Sequence, residues 1–339
     1  MNRSPYISDA PSVSAIMFKV LLALVPGIIA YVWVFGGGVL VTIALATVTA
    51  LAAEALMLKV RKRPVKPFLM DLSAVVTAWL LALAIPPLAP WWLIVVGTLF
   101  AIVAAKQIYG GLGYNPFNPA MIGYAVLLIS FPVLMTKWPA ALQLAEFKLS
   151  FADQLHYIFG GLLPDQVKID AVTSATPLYY LKTQLMLKHE VESITQAPLF
   201  GVLGGKGGEY VTGAYLLGGL YLWQQKIISW HLPTAFLGAL AVISGIFWVA
   251  NPAHFANPLL HLFSGASMLA AFFIITDPVS GPTTPKGKLY FAAGVGIITY
   301  LIRVYGGYPD GVAFAVIFMN ICVPLIDAYT QPRVFGHEK

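Results

Sequence analysis

Long apolar segments, separated by short polar ones, make up most of this chain. A helix needs about 20 mostly apolar residues to cross a membrane, so the pattern predicts membrane-spanning helices. We predict ten, numbered here in chain order: Ala15–Phe35, Val39–Leu58, Leu69–Ile85, Trp91–Ala105, Ala120–Met135, Val211–Trp223, Leu232–Ala250, Leu259–Ile275, Leu289–Ile302 and Val312–Ile326. The third, fourth, sixth and ninth are short for a span, so tilt or breaks must help them to cross.

The composition agrees with this pattern. Of the 339 residues, 59% are hydrophobic and 10% are charged, whereas an ordinary soluble domain has about 25% charged residues. We therefore expect an all-α integral membrane protein. The single cysteine, Cys322, excludes a disulfide framework, and the six histidines are scattered without a metal-ligand spacing. No metal site is predicted.

Positive charge is concentrated in the loop between helices two and three. The loop contains basic residues and no acidic one: Lys59, Arg61, Lys62, Arg63 and Lys66. Basic loops stay on the cytoplasmic side, so we place this loop and, by counting spans, both termini in the cytoplasm. The other inside loops then contain Lys106, Lys226, Lys286 and Lys288, and Arg303 is an exception on the outside. The positive-inside rule explains the net charge of +6 better than nucleic-acid binding does.

The two sets of five helices share sequence features. Tyr-Gly-Gly precedes helix five at Tyr109 and helix ten at Tyr305, and Ser73 and Ser264 each lie fourteen residues before a proline. An odd number of helices in each half gives the halves opposite orientations. We therefore predict two inverted five-helix repeats, residues 1–136 and 211–339, with residues 137–210 as an outside loop between helices five and six. Chance similarity in a glycine-rich membrane protein is the alternative.

A cluster of small hydroxyl residues, DAVTSATPL, lies in that outside loop at residues 170–178. Thr176 followed by Pro177 predicts a helix N-cap with proline at the first helical position. On local grounds a plain cap is the simplest interpretation. A serine nucleophile at Ser174 is less favoured, because the chain has no GxSxG turn and nothing places a His–Asp pair beside it.

A third interpretation accounts for every residue of the cluster. The stretch resembles the flavinylation motif, Asp-x-x-Ser/Thr-Gly/Ser/Ala-Ala-Thr, of Rnf-type and sodium-pumping NADH:quinone reductase membrane complexes, with Asp170, Thr173, Ser174, Ala175 and Thr176 in the motif positions. The middle position is more often glycine in that family. The resemblance implies that a flavin transferase attaches FMN to Thr176 through a phosphoester bond.

The cap and the flavin site are compatible. A phosphate on an N-cap threonine lies at the positive end of a helix, against free backbone N–H groups. Tyr179 and Tyr180 follow directly. They either line the flavin ring or pack the helix onto the membrane domain.

The resemblance extends over almost the whole chain. Ten helices, the outside loop and its motif are similar to the D subunits of Rnf-type electron-transport complexes, a family that also includes the B subunits of sodium-pumping reductases. The stretches Gly110–Tyr124 and Phe272–Pro285 look like two further recurring sequences of that family. The resemblance implies a redox subunit of an ion-translocating ferredoxin:NAD oxidoreductase in the bacterial inner membrane, with Thr176 in the periplasm and membrane lipid around it. It also implies partner subunits A, B, C, E and G, and no catalysis by this chain alone.

One flavin on the outer face leaves a gap in the electron path. The hydrocarbon core is about 30 Å thick, too far for a useful single electron transfer. The family resemblance implies a non-covalent riboflavin inside the helix bundle, toward the cytoplasm. Asn115 and Asn118 are candidates to bind it, because side-chain amides match the donor–acceptor edge of the ring. Capping of helix five by the same asparagines is the alternative, and Asp277 has only a weak case for a functional role.

Charge is absent from the centres of the predicted spans. Glu54, Asp71, Asp277 and Asp327 all fall near helix ends, whereas ion pathways contain intramembrane ionisable residues. We therefore expect ion movement to involve partner subunits. The competing function is a secondary transporter or channel without a cofactor, since inverted repeats with broken helices are common in transporters.

Overall fold

A computed structural model describes residues 12–164, 167–308 and 310–332. Helices dominate the described residues, which supports the all-α prediction. The first half contains seven α-helices: α1 (Val13–Phe35), α2 (Gly38–Val60), α3 (Val65–Leu69), α4 (Ser73–Ala84), α5 (Trp91–Leu99), α6 (Pro119–Ser130) and α7 (Pro132–Thr136). A π-helical segment, Phe100–Gln107, continues α5 directly.

The middle segment is short-helical and lies between the two halves. It contains β1 (Trp138–Pro139), α8 (Phe151–Gly160), a 3₁₀ turn (Ile169–Ala171), β2 (Thr173–Ser174), α9 (Pro177–Met186) and α10 (Val191–Thr195). The two strands pair antiparallel, with Trp138 opposite Ser174 and Pro139 opposite Thr173. This pairing ties the DAVTSATPL stretch to the chain that leaves α7.

The second half repeats the element order of the first. It contains α11 (Gly208–Gln224), α12 (His231–Ala250), α13 (Pro258–Phe263), α14 (Ser267–Leu269), α15 (Pro285–Tyr305) and α16 (Val312–Thr330). A second π-helical segment, Ala270–Ile274, continues α14. In each half, two long helices are followed by a broken helix and then by two more helices.

Among the described residues, five helices are long and apolar enough to cross a membrane: α1, α2, α12, α15 and α16. Shorter apolar helices lie between them, including α4, α5 with its π-helical continuation, and α6. The protein is therefore a multi-pass membrane protein, and the count of ten spans stays a prediction. The predicted cytoplasmic termini fall outside the described residues.

The eighth predicted helix is broken, so a continuous helix over Leu259–Ile275 was wrong. The third predicted helix, for which tilt or breaks were expected, has a break near its start and continues as α4. Leu72 separates α3 from α4 with φ 63°, and Gly265 separates α13 from α14 with φ 63°. A left-handed residue cannot continue a right-handed helix. At the first break the Asp71 carboxylate replaces the lost helical bonds, because Oδ1 accepts from the Ser73 amide at 2.7 Å and from its hydroxyl at 2.6 Å.

The two halves meet along α1 and α11 and between α6 and α16. Gly218 of α11 lies so close to the Ala23 carbonyl of α1 that a Cβ at this position would collide with it. Small residues at such a crossing let two backbones approach closely in a membrane. Both cavities described below are lined by residues of the two halves.

Candidate functional site

The hydroxyl cluster forms a short, ordered turn leading into α9. Asp170 is exposed in the 3₁₀ turn, and the Thr173 hydroxyl donates to the Ile169 carbonyl at 3.0 Å. Ser174 and Ala175 are half-buried. Of the five motif residues, Thr176 lines the larger of the two cavities described below, and the other four line neither of them. The other four shape the turn that presents it.

Thr176 is the N-cap of α9, as predicted. Its Oγ1 accepts from the Tyr179 amide at 3.3 Å, and Pro177 occupies the first helical turn. The hydroxyl therefore lies at the positive end of a ten-residue helix, where backbone N–H groups favour an anion. The arrangement suits a threonine whose oxygen carries a phosphate.

A buried lysine holds α9 against the end of α15. The Lys182 ammonium donates to the Ile302 carbonyl at 3.4 Å, to the Tyr308 carbonyl at 3.1 Å and to the Gly306 carbonyl. A cation at a helix C-terminus compensates the negative end of its dipole. Burial lowers the pKa of Lys182, and these carbonyls oppose that effect by stabilising the charged form. The position of Thr176 is thus fixed from the far side of its helix.

The two tyrosines after the motif have different surroundings. Tyr179 is partly exposed and lines the same cavity as Thr176. Tyr180 instead packs edge-to-face on Phe200, with ring centroids 6.2 Å apart. On sequence alone, flavin contact and helix packing were both open for these residues. The structure shows packing for Tyr180, and flavin contact stays a prediction for Tyr179.

We call the space beside Thr176 the outer cavity. It has a volume of about 200 Å³, against about 10–15 Å³ for one water on the same measure. Its lining residues include Thr176, Gly205, Gly208, Tyr215 and Ser264. The size and the mainly apolar lining fit a planar organic group.

A second space, the inner cavity, lies between the same two halves. Its volume is about 190 Å³, and its polar lining residues are Ser73, Thr77, Lys106, Asn115, Asn118, Thr276 and Asp277. The structure therefore brings both predicted asparagines to one cavity. It also places Asp277 there, with its Oδ2 accepting from the Ser280 hydroxyl at 2.7 Å and its Oδ1 from the Val279 amide at 3.2 Å.

Asn118 has a clear structural role. Its Oδ1 accepts from the Met121 amide at 3.3 Å, which caps α6, and its Nδ2 donates to the Ile274 carbonyl at 3.1 Å. The backbone N–H of Asn118 donates to Asn320 Oδ1 at 3.1 Å. The side chain thus ties α6 to the π-helical segment of the other half, and the capping alternative holds for this residue.

Asn115 is different, because its amide is only half used. Its Nδ2 donates to the Phe117 carbonyl at 3.0 Å. Its Oδ1 is buried and has no hydrogen-bond partner among the described residues. An unpaired buried oxygen is costly, so a donor from a ligand in the inner cavity would complete the site. Between the two asparagines, Asn115 is the one left free for binding.

Two basic residues lie in positions that the sequence analysis assigned wrongly. Lys106 is not in an inside loop: it lies near the end of the π-helical segment, is buried, and pairs with Glu54 Oε1 at 2.7 Å. Arg303 is not in an outside turn: it is buried in α15 and pairs with Asp310 at 3.1 Å. The burial of these two cations is tolerated because each has a carboxylate partner. Hydropathy along the chain does not reveal such a partner.

These two cations make equivalent contacts in the two halves. Lys106 Nζ donates to Oγ of Ser73, the first residue of α4, at 2.7 Å. Arg303 Nη2 donates to Oγ of Ser267, the first residue of α14, at 2.9 Å. Each cation thus fixes the restart of a broken helix. The repeated Tyr-Gly-Gly sequence, shortly after each cation, was a signal of this equivalence in the sequence. The repeated serine was matched to Ser264, whereas the structure gives this role to Ser267, three residues further on.

The described residues contain no group of three or more histidine, cysteine, aspartate or glutamate side chains that could hold a metal ion. The polar atoms of the two cavities are instead hydroxyls, amides and single charged groups. Such donors and acceptors can bind the polar atoms of an organic ligand.

Comparison with known proteins shows the family of this chain. A profile of the family described as NQR2, RnfD, RnfE matches residues 1–336. A protein of Yersinia pseudotuberculosis serotype O:1b (strain IP 31758), named as the D subunit of an ion-translocating oxidoreductase complex, is 54% identical over 343 residues, covering 99% of this chain and 97% of the relative. Proteins of the same name from Shigella dysenteriae serotype 1 (strain Sd197) and Salmonella typhi are 53% and 52% identical, and each match covers 99% of this chain and 98% of the relative.

Proposed function

This chain belongs to the NQR2, RnfD, RnfE family, and we propose that it is a redox subunit of an Rnf-type ion-translocating ferredoxin:NAD oxidoreductase. In this role it carries a covalent FMN at the outer cavity and a non-covalent riboflavin at the inner cavity. Electrons pass between the two flavins through the interface of the two halves. The relatives' name, which assigns them to an ion-translocating oxidoreductase complex, supports the assignment of this chain to such a complex.

The FMN is attached to Thr176 through a phosphoester. The observation that carries this proposal is that the last threonine of the motif is both the N-cap of α9 and a residue that lines the outer cavity. The helix end favours the phosphate, and the apolar cavity beside it accepts the ring. A flavin transferase would reach the hydroxyl from the exposed side, where Asp170 and Tyr179 lie.

Riboflavin occupies the inner cavity. The unpaired Asn115 Oδ1 supports this, because the ring of riboflavin offers an N–H donor between two carbonyl acceptors. Lys106 lies in the same lining, and its ammonium has a third N–H beyond those directed to Glu54 and Ser73. When bound, the flavins supply the one-electron chemistry, and the protein residues hold and orient them.

An inverted duplication explains why two similar cavities exist. The repeated element order, the left-handed break in each half, and the contacts of Lys106 with Ser73 and of Arg303 with Ser267 support it. Inverted repeats place equivalent features near opposite faces of the membrane. One cavity therefore opens toward the periplasm and the other toward the cytoplasm of a bacterial inner membrane.

The complex includes subunits A, B, C, E and G of the Rnf type, and the chain is not catalytic by itself. Large exposed apolar side chains on the long helices, such as Phe18, Trp33, Val249 and Ile321, fit lipid or neighbouring subunits. Electrons enter and leave through those partners. No nucleic acid takes part.

Flavin fluorescence tests the proposal directly against its competitor. The full-length chain, made in cells with an active flavin transferase, is expected to give a fluorescent band on a denaturing gel, and mass spectrometry should find the FMN adduct on the peptide that contains Thr176. A secondary transporter or channel carries no cofactor. A dark band and an unmodified peptide would favour that alternative.

The topology is testable independently. The basic residues Arg61, Lys62 and Arg63 follow the end of α2 at Val60, so that end should be cytoplasmic. A reporter that is active only after export, fused after Lys188, is expected to be active, and one fused after Arg63 inactive. The reverse result would turn the orientation and the electron path around.

A further inference from the structure

The outer cavity contains buried hydroxyl groups that nothing in the fold explains. The hydroxyls of Tyr31, Tyr215 and Ser264 are buried and have no hydrogen-bond partner among the described residues. All three residues line the outer cavity together with Thr176. A buried hydroxyl without a partner costs free energy, and three in one cavity indicate an occupant with several polar atoms.

From this convergence, and resting on the proposed attachment of FMN to Thr176, we infer that these hydroxyls bind the polar edge of the isoalloxazine ring. The three residues come from three separate elements: Tyr31 from α1, Tyr215 from α11, and Ser264 from the break before α14. Only the folded interface of the two halves brings them together. These three residues position the ring, whereas Thr176 holds the ribityl phosphate chain of the FMN.

The length of the cavity along α11 agrees with this assignment. Gly208, which begins α11, and Tyr215, seven residues further along the helix, both line the outer cavity. At 1.5 Å per residue this is about 10 Å of helix. The ribityl phosphate arm, a chain of five carbons and a phosphate, bridges such a gap from Thr176. The ring then reaches the level of the tyrosines.

The tyrosines are held in place by packing rather than by hydrogen bonds. The Tyr215 ring fills the space where a Cβ on Gly27 would lie, and it packs edge-to-face on Phe273 with centroids 6.2 Å apart. Tyr31 packs on Phe35 at 5.0 Å. Their hydroxyls are therefore pre-positioned, which lowers the entropic cost of binding a ring.

The hydroxyls also influence the reduction of the ring. When one electron enters the isoalloxazine from a reductant or a neighbouring flavin, no bond forms or breaks, and the ring gains one negative charge until a proton follows. Hydroxyl donors to the ring carbonyls become charge-assisted and stronger in that state. Tyr31, Tyr215 and Ser264 thus raise the midpoint potential of the covalent FMN.

The test measures that potential in full-length chain made with flavin transferase. Each variant is compared with the same variant carrying Thr176→Asn, so that the difference reports the covalent flavin alone. Y31F/Y215F is expected to keep its gel fluorescence and to lower the midpoint potential by at least about 59 mV, a tenfold change in a one-electron equilibrium constant. S264A is expected to shift it in the same direction by a smaller amount.

Tyr300→Phe is the matched control. The Tyr300 hydroxyl is also buried without a partner among the described residues, but Tyr300 does not line the outer cavity. Tyr300→Phe should therefore leave the midpoint potential of the covalent FMN unchanged. If the potential is unchanged in both Y31F/Y215F and S264A while FMN is still on Thr176, the inferred ring position is wrong and the proposed function stands. A shift in Y300F equal to that in Y31F/Y215F would also overturn the inferred ring position. A wild-type chain without covalent FMN would instead refute the proposed function itself, and the inference with it.

Discussion

Replacement of Thr176 by asparagine is expected to remove all covalent flavin while leaving α9 intact. Asparagine is among the best N-cap residues, so its Oδ1 can accept from the Tyr179 amide as the threonine oxygen does. Its amide cannot form the phosphoester. This variant therefore keeps the capping role of residue 176 and removes its role as the attachment site of the flavin. Fluorescence of the denatured chain should fall to background, and circular dichroism and yield should match the wild type.

Two controls sharpen this result. Thr176→Ser keeps both the cap and an alcohol, so it should retain covalent flavin. Thr183→Ala removes a hydroxyl of α9 that lies outside the motif, donates to the Tyr179 carbonyl and does not line the outer cavity; it should retain an adduct on Thr176. If the T176N chain still fluoresces, the flavin is attached elsewhere, and peptide mass spectrometry would locate it.

Replacement of Asn115 by leucine is expected to empty the inner cavity of riboflavin. The change removes the only asparagine oxygen in that cavity without a partner among the described residues. The polar edge of the ring would then lack its partner in a buried site, at a cost of about 1–3 kcal/mol. That cost weakens binding about 5- to 150-fold. Extractable riboflavin should fall accordingly, and gel fluorescence from the covalent FMN should be unchanged.

The control for this prediction is another Asn→Leu change. Asn257 caps α13, with its Oδ1 accepting from the Leu260 amide at 2.9 Å, and lines neither cavity. Asn257→Leu should keep its riboflavin although it loses a cap. Asn118→Ser keeps a capping oxygen at α6 and loses the bond to the Ile274 carbonyl, so it shows whether Asn118 also contacts the ring. Full riboflavin content in N115L would show that the ring binds elsewhere.

The comparison of the two asparagines shows how far local sequence can predict a site. Asn-Pro predicts an N-cap at Asn118, and the structure has it there, because a cap joins groups three residues apart. Whether Asn115 keeps a free oxygen depends on what packs around it. That distinction is invisible in the local sequence, where both residues are equally good candidates.

The sequence alone determined the features that depend on neighbours along the chain. Apolar runs determined the membrane helices, and Thr176-Pro177 determined the cap of α9. The motif around them identified the candidate anchor. The tertiary structure decided which residues from distant elements meet: the pairing of Lys106 with Glu54 and the convergence of Tyr31 and Tyr215 with Thr176. The physical reason is that hydrophobicity and capping act over a few residues, whereas the burial of a charge or a hydroxyl is favourable or costly only through the partners that folding brings to it.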